Sequence, residues 1–320
     1  MRIRIMLAIL IVLVVAAGLW LAVATGPPGP VRLAPAWQLL PQESYRAMGV
    51  LDPFLSWSPD SRSLIFSVFG LGSQRDKVFR WKVGEKKLQY VTAGASPNCV
   101  TDDLFLYLKR QPKGVYLRSL RTGKEREVAA PLKKNEFFPE VTGFAYDPQR
   151  RTIIVRMTDL TQFRTPGPEE YDLEGRLVGS VSSRLGEGIV DSSCDPRGRK
   201  CAILVQEKDT VPVSLQIAEG RESRGRELAS GKLNAVAWSP DGRVLAYAND
   251  KIVVAVRPED FRRVVVARFG DPDDDSDKRY AARLIWSPNS QYLAVFLYIP
   301  DNSGDYPFYY VLDMSKLKWE

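Results

Sequence analysis

The chain has 320 residues and no histidine, which excludes a Ser-His-Asp triad, a Cys-His pair and any histidine-held metal within it. No G-x-S-x-G elbow, Walker loop or dinucleotide fingerprint occurs either. Its 45 Lys+Arg against 38 Asp+Glu give a net charge of +7, which an ordinary solvated surface accounts for.

At the N-terminus, Arg2 and Arg4 precede an uncharged run from Ile5 to Ala24. Those 20 residues suffice to cross roughly 30 Å of hydrocarbon as a helix. The positive-inside rule keeps the arginines cytoplasmic and exports the residues beyond Ala24. Ala22-Val23-Ala24 also fits a cleavage site, so residues 1–24 read either as a transmembrane signal anchor or as a signal peptide. The length of the run favours the anchor. Either choice puts the rest of the chain outside the cytoplasm, periplasmic or extracellular, and secreted if cleaved. Residues 25–36, starting Thr25-Gly-Pro-Pro-Gly-Pro30, read as a stiff linker.

The remainder, 37–320, repeats one pattern. Val236-Ala-Trp-Ser-Pro-Asp-Gly-Arg-Val-Leu-Ala-Tyr247 joins two apolar stretches through a polar turn. Pro240 presets φ at the corner and Gly242 accepts positive φ at no steric cost, so the segment predicts a β-hairpin. Its strands are apolar almost throughout, as strands covered on both faces are. Pro59, Pro97, Pro148, Pro196, Pro240 and Pro288 mark six such turns, spaced by 38, 51, 48, 44 and 48 residues. A second hairpin follows each one. Four short strands in about 45 residues is the size of a propeller blade. The expected fold is therefore all-β: a six-bladed β-propeller of four-stranded blades behind one N-terminal helix. Propellers commonly close when a terminal strand completes the blade at the opposite end, and Trp37-Gln-Leu-Leu-Pro41 is the candidate closing strand.

The W-S-P-D/N-G/S stretches at Trp57, Trp238 and Trp286 resemble the TolB-type, WD40-like propeller repeat. The resemblance covers nearly all of the chain after residue 50. It implies the fold and says little of function, because such repeats serve scaffolds, periplasmic proteins and peptidase-linked domains alike. The α/β domain that precedes the propeller in TolB has no counterpart here.

Several side-chain groups invite a functional reading. Asp273, Asp275 and Asp277 place hard oxygens at alternating positions, as a calcium loop does, and Asp301 with Asp305 repeats the spacing. They read either as a calcium site or as two solvated acidic loops. The segments 130–140, with Lys133, Lys134, Phe137 and Phe138, and 159–168, with Gln162, Phe163 and Arg164, are long loops suited to partner recognition. Cys194 and Cys201 flank a turn. A two-residue turn at Arg197-Gly198 sets them opposite, within disulfide reach. A three-residue turn pairs Cys194 with Lys200 instead, and a third reading makes both cysteines small buried hydrophobes in place of Trp and Leu. Cys99 stays unpaired in every case.

Blade topology also gathers basic residues such as Arg62, Lys86, Lys124, Arg151 and Arg197 at the turn end, where they would face an anionic membrane. No aromatic platform interleaves them, which argues against nucleic acid. The sequence thus leads to a membrane-anchored scaffold, not an enzyme, that binds a protein or an envelope polymer. Its rivals are a hydrolase or lyase using funnel carboxylates and a calcium-stabilised sensor.

Overall fold

The computed structural model describes residues 36–39, 55–68, 76–110, 113–129, 139–147, 150–159, 169–180, 189–206, 213–219, 225–249, 251–269, 280–298 and 308–319. After β1 (Ala36–Leu39) come β2 (Leu55–Trp57), β3 (Ser63–Val68), β4 (Lys77–Lys82) and β5 (Gln89–Ala93), which form the first sheet. The second holds β6 (Ala95–Cys99), β7 (Leu104–Arg110), β8 (Lys113–Ser119) and β9 (Glu125–Ala129). The third holds β10 (Pro139–Asp147), β11 (Thr152–Asp159), β12 (Glu169–Asp172) and β13 (Leu177–Ser180). The fourth holds β14 (Ile189–Cys194), β15 (Lys200–Gln206), β16 (Val213–Glu219) and β17 (Arg226–Gly231). The fifth holds β18 (Leu233–Trp238), β19 (Leu245–Asn249), β20 (Ile252–Val256) and β21 (Arg263–Arg268). Only three strands remain for the sixth: β22 (Tyr280–Trp286), β23 (Tyr292–Tyr298) and β24 (Phe308–Asp313).

The fourth strand of that last sheet is β1. Ala36 faces Leu312 and Leu39 faces Tyr309, giving the order β1-β24-β23-β22. Six four-stranded antiparallel sheets in chain order, the last completed from the N-terminal end, fit a six-bladed propeller. Residues 1–35 lie outside the described residues, the apolar run 5–24 among them. Among the described residues no helix is long and apolar enough to cross a membrane.

The chain divides into two compact units, one of Pro35–Glu187 with Ile285–Lys316 and one of Gly188–Leu284 with Leu317–Glu320. Within the first, neighbouring sheets share apolar faces. All six residues of β3 are buried. Successive strand residues point to opposite faces, so Ile65 enters a cluster with Cys99, Phe105 and Tyr107 of the second sheet. Phe66 turns the other way, its ring 4.6 Å from that of Tyr309 in the last sheet. Leu106, Val115 and Leu117 continue from the second sheet to Ile153, Val155 and Tyr171 of the third. In the other unit, Leu204, Leu215 and Ile217 of the fourth sheet pack with Val236, Trp238 and Tyr247 of the fifth.

The repeated turn is a local hydrogen-bonded unit. Ser239 N donates to Val244 O, and Gly242 N donates back to Ser239 O. Ser239 Oγ accepts from Val244 N at 2.9 Å and donates to Asp241 Oδ1 at 2.6 Å. Ser58 with Asp60, and Ser287 with Asn289, repeat this arrangement. The fourth turn residue is left-handed each time, with φ of 61° at Ser61, 73° at Gly242 and 60° at Ser290. Serine, proline, a short oxygen acceptor and a small residue therefore recur because each satisfies one backbone demand of the turn.

One turn lies elsewhere than expected. Pro97 sits within β6, and the connection runs through Val100–Asp103, closed by Val100 N donating to Leu104 O. A break in register between Ala95 and Asn98 accommodates the proline, whose nitrogen offers no donor to the ladder. The 38- and 51-residue spacings around Pro97 reflect that displacement and not unequal sheets.

The aromatic patch Tyr306-Pro-Phe308-Tyr-Tyr310 serves packing at its described end. The fully buried Tyr309 hydroxyl donates to Ser67 O at 2.7 Å, tying β24 to β3 of the first sheet. Tyr309→Phe leaves that carbonyl without this donor and is expected to cost about 1–2 kcal/mol, measured by urea denaturation. A loss below about 0.3 kcal/mol contradicts this role for the bond.

Candidate functional site

The first strands of neighbouring sheets lie side by side, and side chains satisfy their facing edges where no ladder forms. In one unit, Ser56 Oγ accepts from Cys99 N at 3.0 Å, and Trp57 Nε1 donates to Ile285 O at 3.1 Å. In the other, Ser193 Oγ accepts from Trp238 N at 2.9 Å and Asp191 Oδ2 accepts from Val236 N at 3.0 Å. Asp191 is the exception in this set because it brings a charge to a place where a hydroxyl elsewhere suffices.

Asp191 stands three residues before Cys194, in the position that Ala235 and Arg283 hold before Trp238 and Trp286. Arg283 is exposed on β22 and belongs to the same unit. Burial raises the Asp191 carboxyl above the ordinary range. The Val236 amide, the Arg283 charge and the Ser192 amide each pull it back without restoring it. Arg283 lies within electrostatic reach of Asp191 and makes no direct ion pair with it. A carboxylate within electrostatic reach of an exposed guanidinium can orient a ligand that offers a hydrogen-bond donor to one and an anionic group to the other. This is the strongest constellation among the described residues. Sequence reading missed it, although aligning the repeats on their Trp or Cys anchor puts both charges in one column.

The predicted sites fare differently. Asp273, Asp275, Asp277, Asp301 and Asp305 lie outside the described residues. So do Lys133, Lys134, Phe137 and Phe138 of the first loop, and Gln162, Phe163 and Arg164 of the second. No group of three or more metal-ligating side chains occurs among the described residues. Cys194 and Cys201 are directly opposed, their Cα atoms 3.9 Å apart, and joined by a disulfide. The turn between them is Pro196–Arg199, closed by Asp195 N donating to Lys200 O. Four loop residues keep the even parity that sets the cysteines opposite each other. Cys99 is free and buried.

The turn-end cations are less available than their number suggests. Arg121 pairs with Asp103 at 3.6 Å, Arg176 with Asp172 at 2.8 Å, Arg150 with Asp147 at 3.8 Å and Lys316 with Asp313 at 3.8 Å. Lys86, Lys87, Lys124 and Arg151 are exposed and make no ion pair among the described residues.

No family model and no curated protein matches this chain. Solved structures do. An oligogalacturonate lyase in complex with manganese aligns with a TM-score of 0.52 at 11% identity, covering 81% of this chain and 87% of that one. TolB from Acinetobacter baumannii aligns with a TM-score of 0.44 at 11% identity, covering 79% of this chain and 64% of that one. Both are propellers, and the first likeness supports that fold. It also overturns the expectation that the chain is no enzyme, since a lyase is built on the same fold. Missing histidines and hydrolase motifs exclude the chemistries that need them and not catalysis as such.

Asp191 gives a pH signature opposite to that of a salt-bridged carboxylate. Folded Asp191 keeps its proton to a higher pH than the unfolded chain does. Its favourable contribution is full below the unfolded range, near 3.9, and is lost as pH rises through the raised folded value. Asp191→Asn keeps an oxygen acceptor for Val236 N and removes the titration. The variant should therefore gain stability relative to wild type as pH rises above about 3.9, measured by denaturation at several pH values. A pH-independent difference contradicts the assignment.

Proposed function

We propose that this chain is a propeller displayed outside the cytoplasm and tethered by residues 1–24, with a protein or an envelope polymer as its ligand. The pairing of β1 with β24 carries the reading. It makes the segment that follows the proposed tether a strand of the last sheet. Ala36 faces Leu312, one residue from the Asp313 that faces Tyr292, so the chain enters this sheet at its turn end. The turns of its unit share that end: Asn289 N donates to Ser61 Oγ, and Asp60 N donates to Asp102 Oδ1. Tethering there turns Lys86, Lys87, Lys124 and Arg151 toward anionic head groups, each worth about 1 kcal/mol near the surface. The opposite end and the 130–140 and 159–168 loops are left for the ligand. The Cys194–Cys201 disulfide agrees with an oxidising compartment.

A second reading rests on the Asp191 and Arg283 pair together with the lyase likeness. In it Arg283 holds a substrate carboxylate and Asp191 removes the proton on the carbon beside it. The glycosidic C–O bond β to that carboxylate breaks as its oxygen takes a proton from solvent, which gives elimination from an acidic saccharide such as oligogalacturonate.

Two measurements separate the readings. A photo-crosslinking residue at Phe138 or Phe163 of the full chain in cells should give discrete adducts on the outer side of the membrane. No adduct from either loop, with the chain recovered in the cytoplasmic fraction, overturns the first reading. Purified protein incubated with oligogalacturonate should form an unsaturated, ultraviolet-absorbing product only under the second. That activity should then fall by about 10²-fold or more in Asp191→Asn.

A further inference from the structure

The fourth sheet lacks the tryptophan that ends the first strand of the first and fifth sheets. β2 pairs Trp57 with Leu64 and β18 pairs Trp238 with Leu245, and both tryptophans are buried. The Trp57 ring also stacks on Tyr292 with centroids 5.8 Å apart. β14 has Cys194 and Cys201 in that register, and the disulfide replaces the missing apolar pair. The next residues along β14 are the ones that grip the fifth sheet, Ser193 through Trp238 N and Asp191 through Val236 N.

The bond is also open to attack. Cys194 is exposed, as are Arg197 and Arg199 in the turn that it closes. The Asp195 carboxylate there is already engaged by the Arg199 and Lys200 amides at 2.7 and 3.1 Å. Nearby cations favour a departing thiolate and draw in an anionic nucleophile. Cys99 is the opposite case, since burial pushes its thiol up to about 12.

We infer that Cys194–Cys201 is a thiol–disulfide exchange site whose substrate is a dithiol reductant, and that its reduction loosens the grip of the fourth sheet on the fifth. A reductant thiolate attacks Cys194 Sγ, the bond to Cys201 breaks, and Cys201 leaves as a thiolate that takes a proton from solvent. The second thiol of the reductant then attacks its own sulfur in the mixed disulfide and releases Cys194. The protein gains two electrons and two protons as two thiols, and the reductant becomes a disulfide. β14 is then held at its turn end by ladder bonds alone, so Ser193 and Asp191 lose the fixed platform from which they accept.

The test uses the oxidised full chain with dithiothreitol under native conditions. Alkylation read by mass spectrometry should modify Cys194 and Cys201 and spare Cys99. Hydrogen exchange at the Val236 and Trp238 amides should accelerate about tenfold. The Cys99 amide is an internal control, because Ser56 Oγ holds it at 3.0 Å by the same kind of bond within the other unit. Its exchange should not change. The double variant Cys194→Ser/Cys201→Ser should exchange fast at Val236 and Trp238 with or without reductant. Alkylation that needs denaturant overturns the exchange site. Alkylation with unchanged exchange at Val236 and Trp238, or equal acceleration at every amide, overturns the grip.

Discussion

A sheet that is apolar on both faces has no stable existence alone in water, and this requirement governs the rest of the architecture. β3 buries all six residues, and its two sides are covered by different sheets, with Ile65 on the second and Phe66 on the last. At roughly 25 cal/mol per Å² of apolar area, a lost neighbour would expose several large side chains at once, more than a domain's few kcal/mol of net stability tolerates. The first sheet therefore needs the last beside it. The chain meets that need with residues from its own beginning, since β1 supplies the fourth strand that its final three strands lack.

Close packing of first strands creates a second problem, because backbone amides at those edges face a neighbouring sheet without a ladder partner. Short side chains solve it locally. Ser56 and Ser193 each accept one amide across the gap, and the Trp57 indole returns a bond in the opposite sense. Each such bond adds only about 1 kcal/mol, and leaving the amide unmet would cost about 1–3 kcal/mol. These contacts also fix the angle between sheets more tightly than apolar packing does, because a hydrogen bond is directional.

Legibility in the sequence depends on the range of the forces involved. The turns are legible because all their bonds lie within six residues: Ser239 caps, Pro240 bends, Asp241 accepts and Gly242 takes positive φ. The role of β1 is legible only through the general way propellers close, since the repeat pattern credits the last unit with four strands of its own where three occur. Pro97 misleads because a proline inside a bulged strand and a proline at a corner look alike in one dimension. The cysteine pair is legible only as one of three readings, because the sequence does not fix the length of the turn, and the observed Pro196–Arg199 turn is neither of the two weighed. The Asp191 and Arg283 relationship is hidden in a linear reading, since it joins positions 92 residues apart (283 − 191).

The carboxylate at 191 exceeds what the fold requires. A serine accepts a first-strand amide equally well, as Ser193 does two residues away and Ser56 does in the first sheet. Aspartate at this place carries a desolvation cost that two amides and the Arg283 charge only partly offset, hence its raised pKa. In the fifth sheet the equivalent position holds the uncharged Ala235, which pairs with Ala248 next to a break in register. The two charges occupy the same column of the repeat, and Arg283 offsets part of the desolvation of Asp191 while Asp191 meets the Val236 amide. The ligand proposed for this pair in the second reading would bind at the first-strand edge and not at the acidic loops that the linear sequence makes conspicuous.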